Sequence, residues 1–297
     1  RDLHLGLRRQ RQMCIRDRYN LVPPNRLFAW IESKGGYYAS NHHAHFDLSW
    51  NQNALTSPHQ LDIWAIANRF GQQNQFPNGL KWTGTFEVTN MIYSAYTSYI
   101  LSHSRLTRLE TTDDLYLGTR LTGNLYNSYY NEVGLKQKNI MSRSNIFERL
   151  LPFWQLQLYY SIAGAGMNAP TLEQVIANNN IGGNTDYANW LGIITQSIRN
   201  APYNGKPVSN GQQMMNFVKY ASDAVQQDLT DFFIKSGFLI PFDAVVNDYT
   251  PEKITITQAN IEATKAYIAA KKYPKPRSPV LHYITARNMY MLSLIHI

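Results

Sequence analysis

Cysteine is almost missing from this chain of 297 residues, which holds only Cys14. A disulfide framework and a thiolate metal site are both excluded by that count. Charged residues are sparse at 16%, yet hydrophobic residues reach 44%, enough to build a substantial core and to exclude disorder as the whole description. No stretch predicts a membrane span. Leu150 to Met167 is uncharged and approaches spanning length, but Pro152, Gln155, Gln157 and two glycines mark a buried helix instead. No G-x-S-x-G element, phosphate-binding glycine loop or glycosidase-like carboxylate pair is present, so serine-hydrolase, P-loop and glycosidase chemistry gain no support.

Charge of one sign is in excess, at +8 from 28 Lys+Arg against 20 Asp+Glu. Such a balance ordinarily raises nucleic acid or an anionic membrane as a partner. Its distribution argues otherwise. Residues 1–18 carry six arginines against Asp2 and Asp17 and so supply +4 of the +8. Met13-Cys14-Ile15-Arg16-Asp17-Arg18 resembles a translated sequencing adapter of the kind that contaminates metagenomic assemblies, and residues 292–297 resemble the same read-through. Residues 1–18 and 292–297 are therefore expected to be artefacts, set aside as a tag would be. The remaining charge predicts no nucleic-acid partner, and the domain is expected to be truncated at its N-terminus.

From Tyr19 to about Trp50, aromatic residues alternate with turn formers, which predicts short strands joined at Lys34-Gly35-Gly36. Ser57-Pro58 predicts a helix start, with apolar spacing through Leu61, Trp64 and Ala65 towards Gly71. A second helix is expected from near Thr85, carrying Glu87, Asn90, Met91 and Ser94. Further helices are expected over 145–162, 171–178, 187–198, 212–227 and 257–271. Pro274-Lys275-Pro276 predicts a linker, with 273–291 a linker or the start of a following module.

The most informative stretch is Trp64-Ala65-Ile66-Ala67-Asn68-Arg69-Phe70-Gly71-Gln72-Gln73-Asn74, followed by Phe86-Glu87-Val88-Thr89-Asn90. It resembles the zinc region of the enhancin-like metallopeptidases, gluzincin-type enzymes that degrade mucins and other glycoproteins. There a tryptophan-led helix carries H-E-x-G-H, and an E-V-T-N-like segment supplies a third ligand. Tyr37-Tyr38-Ala39-Ser40, the segment from Phe147 to Leu156 and the segment from Asp228 to Phe238 extend the likeness over most of 19–272. The resemblance implies an α+β, mainly helical, zincin-like metallopeptidase fold with a small strand-rich lobe and a larger helical lobe. It also implies an exported, extracellular or cell-surface protein whose partner is a glycoprotein or glycan such as mucin.

The motif itself departs from the family. In H-E-x-x-H two neutral imidazoles at i and i+4 bind zinc and the glutamate acts as general base. Here those positions hold Asn68, Arg69 and Gln72. A carboxamide is a poor zinc ligand, and a guanidinium cannot accept a proton. Only the third-ligand position survives, as Glu87. No catalytic residue, no metal and no cofactor are therefore expected, and the family's zinc is expected to be lost. The alternative is an active zinc metallopeptidase with an unusual ligand set around Glu87, recruiting the cluster His42, His43 and His45.

Arg69 or a neighbouring donor is expected to pair with Glu87 in place of a metal, with a solvent-facing Arg69 as the alternative. Aromatic residues make up 13% of the chain. Trp64, Phe153, Trp154 and Phe217 lie in helical apolar stripes and are expected in the core. Trp82, Tyr93 and Asn90 flank the altered motif and are the candidates for walls of a substrate cleft.

Overall fold

The motif helix, α1 (Ile63–Gln73), buries Trp64, Ala67, Asn68 and Gly71, residues spaced by three or four along one helical face. The structure is a computed structural model and describes residues 28–32, 38–39, 43–47, 63–73, 75, 79–101, 107–110, 115–116, 119–120, 125–163, 190–201, 207–276 and 279–288. Before α1, β1 (Phe28–Glu32), β2 (Tyr38–Ala39) and β3 (His43–Asp47) form a sheet in the order β1-β3-β2. Strand β1 runs parallel to β3 with Phe28 opposite His43, and β2 runs antiparallel with Tyr38 opposite His45. Helix α1 packs on β2 and β3, where the Phe46 and Phe70 rings lie 6.0 Å apart.

Helix α2 (Met91–Leu101) packs along α1. Gly71 makes that approach possible, since a Cβ on it would lie 2.3 Å from the Asn90 carbonyl oxygen. Ser94 ties the pair further by donating to the Trp64 carbonyl at 2.9 Å. The expected helix start near Thr85 is corrected: residues 86–90 form turns, and regular helix begins at Met91. The Thr85 carbonyl accepts from Val88 at 2.9 Å and from Thr89 at 3.2 Å, a tightened lead-in turn that the sequence pattern does not separate from helix.

A two-residue pair, β4 (Leu115–Tyr116) and β5 (Thr119–Arg120), leads to α3 (Leu125–Tyr129), which widens into a π-helical segment over Tyr130–Leu135. Helix α4 (Ile146–Leu156) is capped by Asn145, whose side chain accepts from the Phe147 amide at 2.9 Å. It is buried on nearly every side and continues as π-helical turns over Gln157–Ala163. Then come α5 (Trp190–Asn200), α6 (Asn210–Val225) and α7 (Thr230–Lys235). Trp82, Phe153, Phe217, Phe233 and Phe238 fill the centre, with Phe153 and Phe217 rings 4.9 Å apart.

Strands β6 (Phe242–Asp248) and β7 (Thr250–Ile256) pair antiparallel with Asp248 opposite Thr250, which leaves Tyr249 alone at the tip. Helix α8 (Gln258–Lys271) follows, opened by a capping box between Thr257 and Asn260. The result is the expected α+β, mainly helical metallopeptidase architecture, strand-rich before α1 and helical after it. Among the described residues no helix is long and apolar enough to cross a membrane.

One expectation changes, and others fall outside the described residues. Ser57-Pro58 and the helix expected over 171–178 lie outside the described residues. The segment after Pro276 is no linker in its described part, because Leu281, Ile284 and Ala286 are all buried in the main core. Glu110 holds it by accepting from the Ala286 amide at 3.2 Å and from the Trp154 indole at 2.9 Å. The prolines marked a break in regular structure, which is compatible with a packed irregular segment.

Candidate functional site

Asn68 and Gln72 stand one turn apart on α1, so their side chains share a face. The loop from Leu80 to Asn90 passes beneath that face and is held by its own hydrogen bonds. Thr89 Oγ1 donates to the Leu80 carbonyl at 2.6 Å, and Thr85 Oγ1 to the Trp82 carbonyl at 2.7 Å. Gly84 supplies the left-handed turn, at φ +93°. Gln75 Nε2 donates to the Phe86 carbonyl at 3.0 Å and so fixes the loop to the end of α1. Glu87 is thereby presented to Gln72.

The central contact is Gln72 Nε2 donating to Glu87 Oε1 at 2.7 Å. Arg69 Nη1 donates to Gln72 Oε1 at 3.0 Å, which fixes the carboxamide with its nitrogen towards the carboxylate. Arg69 therefore reaches Glu87 through Gln72, so the neighbouring donor makes the direct pairing. Asn90 Nδ2 donates to the second oxygen, Glu87 Oε2, at 3.0 Å. The Tyr249 hydroxyl, arriving from the β6–β7 tip, donates to Oε1 in a short contact. Both oxygens of Glu87 are thus engaged by side-chain donors.

The hairpin is itself clamped to the loop. Asp248 Oδ2 accepts from the Gly84 amide at 2.7 Å and from the Phe86 amide at 3.0 Å. Glu252 Oε2 accepts from Thr83 Oγ1 at 2.7 Å and from Asn210 Nδ2 at 2.7 Å. From below, the buried Arg149 donates to the Gly84 carbonyl at 3.0 Å. Burial raises the Asp248 carboxyl above its ordinary range, while the Phe86 and Gly84 amides and the Arg149 charge pull it back and Glu87 pushes it further up. The Tyr249 hydroxyl is raised well above its ordinary value, first by desolvation where it meets Glu87, then by that hydrogen bond and charge, with Arg69 opposing. The residue as a whole is nevertheless 78% exposed.

Three sequence-based candidates need correction or relocation. Trp82 is fully buried, its ring 5.9 Å from that of Phe217, and is core, not a cleft wall. Asn90 is fully buried beneath Glu87 and supports the carboxylate from inside. Tyr93 is half-buried and lines an apolar groove of about 280 Å³ between α1 and α2, with Ile63, Ala67, Phe70 and Leu101. That groove is not bordered by Asn68, Gln72 or Glu87, so it is separate from the polar cluster. Asn68 is itself fully buried, and among the described residues neither atom of its amide has a hydrogen-bond partner.

The side chains present do not fit zinc. Tetrahedral zinc needs lone pairs converging on one point at about 2.0–2.3 Å. Here Gln72 turns an N–H, not a lone pair, towards Glu87, and Arg69 places a fixed positive charge beside the same group. Among the described residues, no three His, Cys, Asp or Glu side chains are grouped to hold a metal. His45 is buried in β3, while His42 and the side chain of His43 lie outside the described residues.

Sequence reasoning missed Tyr249, Asp248, Glu252 and Arg149. The available signal was the run Phe242 to Ile256, where Asn247-Asp248 and Pro251 interrupt alternating apolar residues, a hairpin pattern. Nothing in that pattern says what the tip touches.

The protein belongs to the Peptidase M60, enhancin and enhancin-like family, whose sequence signature matches residues 16–237. Solved structures agree in fold. A metallopeptidase in complex with Tn antigen is 19% identical, with a TM-score of 0.62 over 87% of this chain and 42% of its own. A metallopeptidase from Bacteroides thetaiotaomicron is 19% identical, with a TM-score of 0.60 over 87% and 39%. The M60 catalytic domain of ZmpC from Clostridium perfringens, in complex with the sialyl T antigen, is 20% identical, with a TM-score of 0.53 over 88% and 39%. The chain thus spans about two fifths of the length of these structures, up to 42%. A sequence search of curated proteins finds no match.

Proposed function

We propose that this domain binds mucin-type glycoprotein or glycan outside the cell and has lost zinc and proteolytic activity. The observation that carries the loss is the Gln72 Nε2 to Glu87 Oε1 hydrogen bond at 2.7 Å. It places a donor where a zinc peptidase needs a ligand lone pair, and Arg69 occupies the position of the general base. The binding partner is supported by two solved structures of this fold, described in complex with Tn antigen and with the sialyl T antigen. Fold alone does not carry a function, so the substrate class rests on family membership.

The test is elemental analysis of the purified protein beside a back-substituted variant, Asn68→His with Arg69→Glu and Gln72→His. We expect no stoichiometric zinc in the unmodified protein and about one equivalent in the variant, whose three ligands and base are then complete. Stoichiometric zinc in the unmodified protein overturns the loss. Binding is checked separately by titrating Tn-antigen and sialyl-T-antigen glycopeptides and intact mucin. If none of them binds, the glycan-binding half of the proposal fails.

A further inference from the structure

Tyr249 combines three features that seldom meet in one residue. It occupies the left-handed region at φ +60°, although it carries a bulky side chain for which that conformation is strained. It is a large aromatic residue left 78% exposed. Yet it is held in place at both ends: its hydroxyl bonds Glu87, and its ring stacks on Phe86 at 6.3 Å with the planes 26° apart.

The flanking residues explain how the strain is retained. Asp248 is bound to the Gly84 and Phe86 amides and Glu252 to Thr83, so the backbone on either side of Tyr249 is anchored to the site loop. Glycine or asparagine would suit the tip conformation better. A strained, anchored and solvent-facing aromatic is the pattern of a residue kept for what it contacts.

Its position supplies the chemistry. The ring runs nearly parallel to that of Phe86 but offset from it, with centroids 6.3 Å apart, and the exposure of the residue leaves most of its surface open to solvent. The hydroxyl shares Glu87 Oε1 with Gln72, which sets the edge of the open face beside the Arg69–Gln72 pair. A flat apolar surface bordered by fixed donors and a carboxylate suits a pyranose ring, which offers an apolar C–H face and a rim of hydroxyl groups.

We infer that Tyr249 is the stacking platform of a sugar-binding subsite, with Arg69 and Gln72 along its polar edge. The inference rests on the glycan-binding reading above and deepens it by naming the residue that makes the contact. The subsite lies over the positions where the family would hold its metal, and is distinct from the apolar groove at Tyr93.

The experiment is calorimetric titration of the full chain with Tn-antigen and sialyl-T-antigen glycopeptides, for the unmodified protein and for Tyr249→Ala, Tyr249→Phe and Leu135→Ala. Leu135 is equally exposed, at 77%, on a different element, and controls for nonspecific apolar contact. Loss of the ring should weaken binding about tenfold, the scale of one lost aromatic contact, whereas Tyr249→Phe and Leu135→Ala should stay within about twofold. Thermal melts confirm that each variant is folded.

Binding by the unmodified protein that survives Tyr249→Ala overturns the platform and leaves the glycan reading standing. Equal losses in Tyr249→Phe and Tyr249→Ala overturn stacking in favour of the hydroxyl contact. Loss in Leu135→Ala overturns site specificity. No binding by the unmodified protein overturns both readings together.

Discussion

Replacing two imidazoles by carboxamides changes what a helix face can do, because an amide supplies a donor as well as an acceptor. Gln72 uses both, accepting from Arg69 and donating to Glu87, and so stands at the centre of a hydrogen-bonded chain. Asn68 does not follow suit. Fully buried and without a hydrogen-bond partner among the described residues, it fills the helix face without adding a bond there. Gly71 between them has a different duty, closing α1 on the Asn90 backbone. Gly71→Ala should therefore destabilise the protein by about 1–3 kcal/mol, since the obstacle is a main-chain carbonyl that cannot rotate away. Chemical denaturation measures this, and an unchanged midpoint would show that α1 and α2 can separate freely. Asn68, Arg69 and Gln72 were legible in the sequence because helical spacing against a known motif needs no tertiary information, whereas Glu87 was picked out only by the likeness of its segment to the family's.

At the scale of elements, the β6–β7 hairpin is the part that local pattern could not place. Its strands follow from alternation, but its contacts join residues more than 160 positions apart, such as Asp248 with Gly84 and Tyr249 with Glu87. The hairpin acts as a clamp, giving the loop acceptors that its turn cannot provide internally. Asp248→Ala should leave the Gly84 and Phe86 amides without partners, at a cost of about 1–3 kcal/mol for a buried one. Hydrogen exchange should then accelerate at those two amides more than in α4 or α6. Uniform acceleration across the chain would instead mean that the hairpin is a general part of the core. The helix α2 boundary failed for a related reason: the tightened turns over 86–90 satisfy the same periodicity as a helix.

For the whole molecule, the packed segment after Pro276 brings a titrating group to the core edge. His282 is half-buried, and burial together with the nearby Lys235 charge lowers its pKa from 6.5 to about 4. Its carbonyl accepts from Gln155 on α4 at 2.8 Å, so the residue is tied to the central helix. A lowered histidine pKa means that the unfolded chain binds the proton first as pH falls. Stability from this group is present above pH 6.5 and is lost on the way down to about pH 4. His282→Gln should flatten that part of the stability–pH curve, as urea midpoints at pH 7 and pH 4.5 would show. An equally steep fall in the variant would assign the acid sensitivity elsewhere.

By itself, the sequence determined the helical class, the core aromatics, the family and the altered motif. These depend on composition, on periodicity along one segment and on a spacing of a few residues. Trp64, Phe153, Trp154 and Phe217 are buried as their apolar stripes required. Only the tertiary structure decided that Trp82 faces the core, that Gln72 and not Arg69 meets Glu87, and that Tyr249 comes to the site. Each of those depends on which side of a loop turns inward or on which distant strand end arrives, and packing across the whole chain fixes both.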